Sequence, residues 1–154
     1  MPEGATVRVL AASREDMPLQ TRLATARHYV ENLLATFNLA VSSGDGGALA
    51  ILTQTLLLEL DNGEGRLRVG PGEVLNLLAL APGKSIQTIS NLCLTAEKSI
   101  VHYTATYQVW TAEGASLSCA AFGHLHGSLV AGPQAWRWVN HCICPLPRPY
   151  PNRA

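Results

Sequence analysis

Four long runs of strand-forming residues close this sequence, and they constrain its fold more than any other feature. Ser85 to Thr95, Ser99 to Ala112, Ser116 to Val130 and Ala135 to Cys144 are separated by Ala96-Glu97-Lys98, Glu113-Gly114-Ala115 and Ala131-Gly132-Pro133-Gln134. Separators of three or four residues pair neighbouring strands as antiparallel hairpins. Every helical signal precedes this meander. From Gln20 to Ser42, Leu23, Ala26, Val30, Leu33, Leu34, Phe37 and Val41 recur mostly at steps of three and four, the apolar stripe of an amphipathic helix. Ser42 to Gly47 ends it, and Asp45 can cap a second short helix, Gly47 to Leu52. Thr55 to Leu60 reads as a strand because turn residues Asp61 to Gly65 follow it, with Arg66 to Val69 pairing back. Gly70-Pro71-Gly72 opens a third helix, Glu73 to Leu80, which Pro82-Gly83 closes. Helices first and strands afterwards is the pattern of an α+β fold with helices on one face of a curved sheet. Residues 1–18 read as an N-terminal arm, 19–144 as the domain, and 145–154 as an extended, proline-rich tail.

Length and charge exclude several function classes. A chain of 154 residues fits one domain. Lys+Arg and Asp+Glu are both 11, so there is no cationic excess with which to displace counterions from nucleic acid. No apolar run reaches the roughly 18 residues of a membrane span. Met1 to Gln20 lacks a basic segment followed by a long apolar one, so a cytoplasmic protein is expected. Charged residues are only 14% of the chain against about 25% in an average domain, so apolar surface is expected in a homodimer contact or around a cavity. Cys93, Cys119, Cys142 and Cys144 contain no C-x-x-C pair and read as buried reduced thiols.

Several segments resemble a known family. FNLAVSSGDGGALAILTQTLLLEL, Phe37 to Leu60, is similar to the helix, "sGD" turn and first strand of SnoaL-like proteins, members of the nuclear transport factor 2-like (NTF2-like) superfamily. SIQTISN, Ser85 to Asn91, resembles that family's "T-x-H-x-I-x-N" strand, and Gly123 to His141 its "G-x-Y-x-D … W-R-I" hairpin. The resemblance spans roughly residues 20–144. It implies a cone-shaped α+β barrel, three N-terminal helices on a strongly curved, mostly antiparallel sheet. It also implies an enzyme without a cofactor, although the superfamily includes catalytically silent binding modules.

Strand alternation supplies the candidate site. Val101, Tyr103, Ala105, Tyr107 and Val109 share a face whose apolar character makes it the concave one, placing two phenols in the cavity to polarise a carbonyl. Gln87 stands where related dehydratases carry a catalytic histidine, and Asn91 matches the family asparagine; both are candidates for holding substrate. His124 and His126 share a face with Phe122 and Ser128. On the concave side they are the acid/base candidates; on the convex side they meet solvent or a second copy. Their spacing also suits a metal, with His141 or Cys142 as further ligands, but two ligands do not make a site, and no metal is expected. Trp136 and Trp138 are expected on one face with Asn140 and Cys142. Tyr29, Phe37, Trp138 and Asn140 complete the expected pocket wall. No acid follows Glu113, and Gly127 and Leu125 replace the family's late aspartate and tyrosine, so the usual carboxylate mechanism is missing. Glu59, flanked by leucines, is the remaining candidate base.

These residues point to a cofactor-free cyclase, isomerase or dehydratase acting on a small hydrophobic substrate of polyketide or terpenoid type. The alternatives are a non-catalytic binding or assembly module of the same fold and, third, an epoxide hydrolase using Glu59 or Asp61.

Overall fold

The structure, a computed structural model, describes residues 18–78, 85–133 and 135–146. Of the expected arm, residues 1–18, all but Pro18 lie outside these, as do the Pro82-Gly83 break and residues 147–154 of the expected tail; Pro145 and Leu146, expected in that tail, instead end the last strand, opposite Gly123 and Phe122. Helix α1, Leu19–Ser43, buries Ala26, Val30, Leu34, Phe37 and Val41 along the stripe its sequence spacing predicts, and Gly44 ends it at φ 69°. Helix α2, Gly46–Thr53, is capped by Asp45, whose Oδ1 accepts the Ala48 N–H at 2.9 Å. Strands β1, Leu57–Asp61, and β2, Arg66–Arg68, form the small antiparallel pair, and helix α3, Pro71–Leu78, follows. The meander is β3, Ser85–Glu97, β4, Ile100–Glu113, β5, Ser116–Ala131, and β6, Trp136–Leu146.

The six strands make one sheet in the order β2-β1-β6-β5-β4-β3. All neighbours are antiparallel except β1 and β6, which run parallel with Leu57 opposite Asn140 and Leu60 opposite Ile143. Three helices therefore pack on a mostly antiparallel sheet, the expected α+β architecture. One apolar core fills the space between the layers.

The meander is not evenly pleated. Asn91 and Leu92 together oppose Ala105, an extra Ala120 interrupts β5, and an extra Val139 interrupts β6. Each is a bulge, and each reverses the inside–outside alternation beyond it. Asn91 takes the left-handed conformation, at φ 56°.

Two glycines fix which side of β5 faces the helices. Gly127 lies opposite Tyr103 and Gly123 opposite Tyr107. A Cβ on Gly123 would collide with the Cys144 backbone oxygen and come within 2.7 Å of the Tyr107 ring, and one on Gly127 would collide with the Asn140 backbone oxygen and the Tyr103 hydroxyl. The phenol rings thus lie flat over bare backbone, and both are buried. Gly127→Ala should therefore cost about 2 kcal/mol by overpacking, read as a lowered thermal midpoint. Gly65→Ala, with nothing within 4 Å of the added methyl, should leave that midpoint unchanged.

Candidate functional site

The buried polar group inside the fold comes from β4 and β6. Tyr103 is held over Gly127, and Gly127 also pairs with His141 on its other side. The three residues form one row across the sheet's inner face. Trp138 is two residues beyond the Asn140 position, across the Val139 bulge, and joins them. Tyr103 Oη lies 2.6 Å from His141 Nδ1, and Trp138 Nε1–H donates to the Tyr103 oxygen at 2.9 Å. Phe37 from α1 closes the group, its ring edge-on to His141 with centroids 5.0 Å apart.

Each proton in this group has one address. An indole nitrogen only donates. The acceptor in reach of the Tyr103 hydroxyl, among the described residues, is His141 Nδ1, so the phenol donates there. Burial pushes the His141 pKa from 6.5 down to about 3, helped by the nearby His126, so the ring is neutral near pH 7. A neutral imidazole accepting at Nδ1 carries its hydrogen on Nε2. That Nε2 is buried and has no partner among the described residues. Leaving a buried donor unmet costs about 1–3 kcal/mol, which a carbonyl or oxyanion would restore. Burial also raises the Tyr103 pKa far above its ordinary value and that of Tyr107 to about 12, so neither phenol ionises readily. The group is built to donate a hydrogen bond, not to take a proton.

A cleft of about 620 Å³ opens between α1 and the edge strand β3. Leu34, Leu39, Ile86, Ile89 and Leu92 line it, with Asn38, Gln87 and Asn91 as polar groups and the Arg27–Glu31 ion pair, at 3.0 Å, beside them. Gln87 is buried, and its Nε2 has no partner among the described residues. Ile89, the cross-strand partner of Tyr107, joins cleft and interior. A second, smaller cleft of about 400 Å³ lies between Tyr29 and Trp136. Neither cleft is lined by Tyr103, Trp138 or His141.

The expected site residues are therefore divided among four places. Tyr103, Tyr107, Phe37 and Trp138 meet inside the fold, while Gln87 and Asn91 line the larger cleft and Tyr29 the smaller. His124, His126, Glu59 and Asn140 are on the sheet's other face. His124 and His126 are turned outward because Gly123, Leu125 and Gly127 take the inner positions of β5; His124 is exposed and His126 half-buried. Glu59 is outward because its neighbour Leu58, opposite His141, is the inward residue. Asp61 shares the parity of Glu59, so neither acid reaches the interior to activate water on an epoxide. Asn140 accepts from the Ser128 hydroxyl on that outer face. The Val139 bulge separates Asn140 and Cys142 from the tryptophans and turns His141 inward instead. Of the cysteines, Cys142 and Cys144 are buried as expected, but Cys93 and Cys119 are exposed.

His141 is the member of the group that simple alternation misassigns. A usable signal was present: Tyr103 and Tyr107 are four apart, as are Gly123 and Gly127, a matched spacing that seats two rings over two glycines in an antiparallel pair.

No protein-family model and no curated relative matches the sequence. Solved structures do match. An NTF2-like protein with a cystatin-like fold from Novosphingobium aromaticivorans superposes with a TM-score of 0.62 at 18% identity, covering 83% of this chain and 86% of that one. A variant of Rv3472, a protein of unknown function from Mycobacterium tuberculosis, gives 0.62 at 17% identity, covering 84% and 77%. A type 2 hexachlorocyclohexane dehydrochlorinase, LinA, gives 0.54 at 18% identity, covering 81% and 87%.

The buried imidazole makes a pH prediction. The folded pKa of about 3 lies below the 6.5 of a free histidine, so the unfolded chain takes up the proton first as pH falls. Stability from this residue is complete above pH 6.5 and drains as pH drops towards 3. Between pH 7.5 and 5, urea denaturation should show the wild type losing about 2 kcal/mol more than His141→Phe. The structural likeness at these identities establishes the architecture, and the chain has the NTF2-like, cystatin-like fold.

Proposed function

We propose that this chain is a cofactor-free enzyme of the lyase or isomerase type, cyclases included, acting on a hydrophobic carbonyl compound. One observation carries it: a neutral, fully buried His141 whose Nε2–H has no partner among the described residues, backed through Nδ1 by Tyr103 and, behind that, by Trp138. A substrate carbonyl reaching Nε2 would be polarised in a water-poor site, and negative charge building on its oxygen would be shared along the row. A neutral histidine serves such a role well, since it donates without first losing a proton.

The described interior holds no carboxylate to take the proton, so the substrate must be acidic enough to lose it to a water or buffer base entering with it. A 1,3-dicarbonyl meets that requirement, because its central carbon is acidic once either carbonyl is polarised. This supports a polyketide-type intermediate over a terpenoid one, and it is the finer form of the SnoaL-like resemblance. The dehydrochlorinase among the structural neighbours supports elimination chemistry on this fold.

A second reading, a non-catalytic ligand-binding module, is favoured by a different observation. Phe37 and Trp138 pack directly on His141, and the larger cleft lies to one side. Such a module would hold an apolar ligand against Gln87 and Asn91 with no proton transfer.

Deuterium exchange separates the two. A panel of hydrophobic 1,3-diketones is titrated against tryptophan fluorescence, and the compounds that bind are followed by proton NMR in heavy water. The wild type should accelerate exchange at the central carbon, with His141→Phe and Tyr103→Phe each slower by about tenfold to a hundredfold. Binding without acceleration establishes the module; acceleration unchanged in both variants removes His141 and Tyr103 from the chemistry.

A further inference from the structure

The outward face of β5 and β6 carries a second cluster, separate from the buried group. His126 lies directly opposite Cys142, and Cys144 is two residues further along the same face of β6. The ligand atoms of these three all lie within 4.8 Å of one another. The two sulfurs are 3.9 Å apart. A tetrahedral ion with metal–sulfur bonds of about 2.3 Å requires sulfurs about 3.8 Å apart, and sulfur and imidazole nitrogen about 3.6 Å apart. The thiols already have the first separation, and a small side-chain adjustment at His126 supplies the second.

The strand on the other side carries a carboxylate near this group of three. Glu59 is the register partner of Cys142 on β1, on the same outward face. His126 and Cys142 both feel its charge, together with that of Arg66. Asp61 acts on His126 as well. His126, Cys142, Cys144 and Glu59 stand on three hydrogen-bonded strands, so backbone ladders and not loops hold the spacing.

We propose that His126, Cys142 and Cys144 form a binding site for one thiophilic divalent cation of the zinc class, with Glu59 or water in the fourth position. Two thiolates and an imidazole select such an ion over magnesium or calcium, which take oxygen ligands. Binding breaks two S–H bonds and forms two metal–sulfur bonds; both protons pass to solvent and nothing is oxidised. A divalent charge against two thiolates is neutral, and Arg66, the register partner of Asp61, adds a positive charge nearby. The ion would tie β1, β5 and β6 together on the face opposite the helices. It would take no part in chemistry at His141, which points the other way. The site stands whether or not the proposed enzyme activity does.

Chelator-treated, thiol-reduced full-length protein titrated with cobalt(II), a zinc surrogate with visible absorption, tests this. The wild type should take up one ion per chain with a thiolate-to-cobalt charge-transfer band and intense tetrahedral ligand-field bands, and zinc should displace it. Cys142→Ser and Cys144→Ser should each weaken binding at least tenfold and reduce the charge-transfer band. His126→Ala, at a half-buried position that leaves the thiols in place, should weaken it while retaining the sulfur band. Cys93→Ser and Cys119→Ser, which remove the exposed thiols, should change nothing. Should the β6 variants fail to fold, zinc binding to the wild type should still release protons from the two thiols, read with an indicator dye in weakly buffered solution. A wild type without the sulfur band, a band lost with Cys93 or Cys119, or zinc that binds without releasing protons would overturn the proposal.

Discussion

Two phenol rings lying over two glycines are the contact on which the rest of the inner face depends. Tyr103 and Tyr107 require the β5 residues opposite them to have no side chain, and Gly127 and Gly123 meet that requirement. With those positions inward, strand periodicity leaves His124 and His126 no choice but the outer face. The same contact brings the Tyr103 hydroxyl down towards β6, where His141 receives it. One packing solution thus sets the contents of both faces of the sheet.

The Val139 bulge is the second determinant. Without it, β6 would continue the tryptophan parity through Asn140 and Cys142, and His141 would face outward beside the β5 histidines. An extra residue turns the imidazole towards the helices and both cysteines to the opposite side of the sheet, where they too are buried. A buried neutral hydrogen-bond donor on one side and a sulfur pair on the other are therefore two results of one inserted residue. Bulges that redirect side chains in this way are a recurrent means of placing polar groups.

Much of the architecture was legible in the sequence. Capping by Asp45, the glycine stop at Gly44 and the short separators of the meander are local chemistry, so element order and the hairpin pairings followed from them, but the parallel pairing of β1 with β6 did not. The inward course of Tyr103 and Tyr107 was legible because β4 is apolar on one face and Thr- and Gln-rich on the other. What the chain did not disclose was parity beyond each bulge. Val139 and Ala120 are ordinary strand residues, and nothing in their chemistry marks an extra residue; only the register of the neighbouring strand does. His124 and His126 versus His141 is a question of that kind.

The parallel seam between β1 and β6 has a consequence for assembly. Residues 57–60 find their partners at 140–143, across most of the domain. The β3–β6 hairpins close over short loops, but this seam closes over some eighty residues of intervening chain, a far larger entropic cost. During synthesis the early helices and first hairpin must wait, their apolar sides uncovered, until the last strand has left the ribosome. The interval in which this chain is most vulnerable to its neighbours is thus set by the place of its final strand in the middle of the sheet.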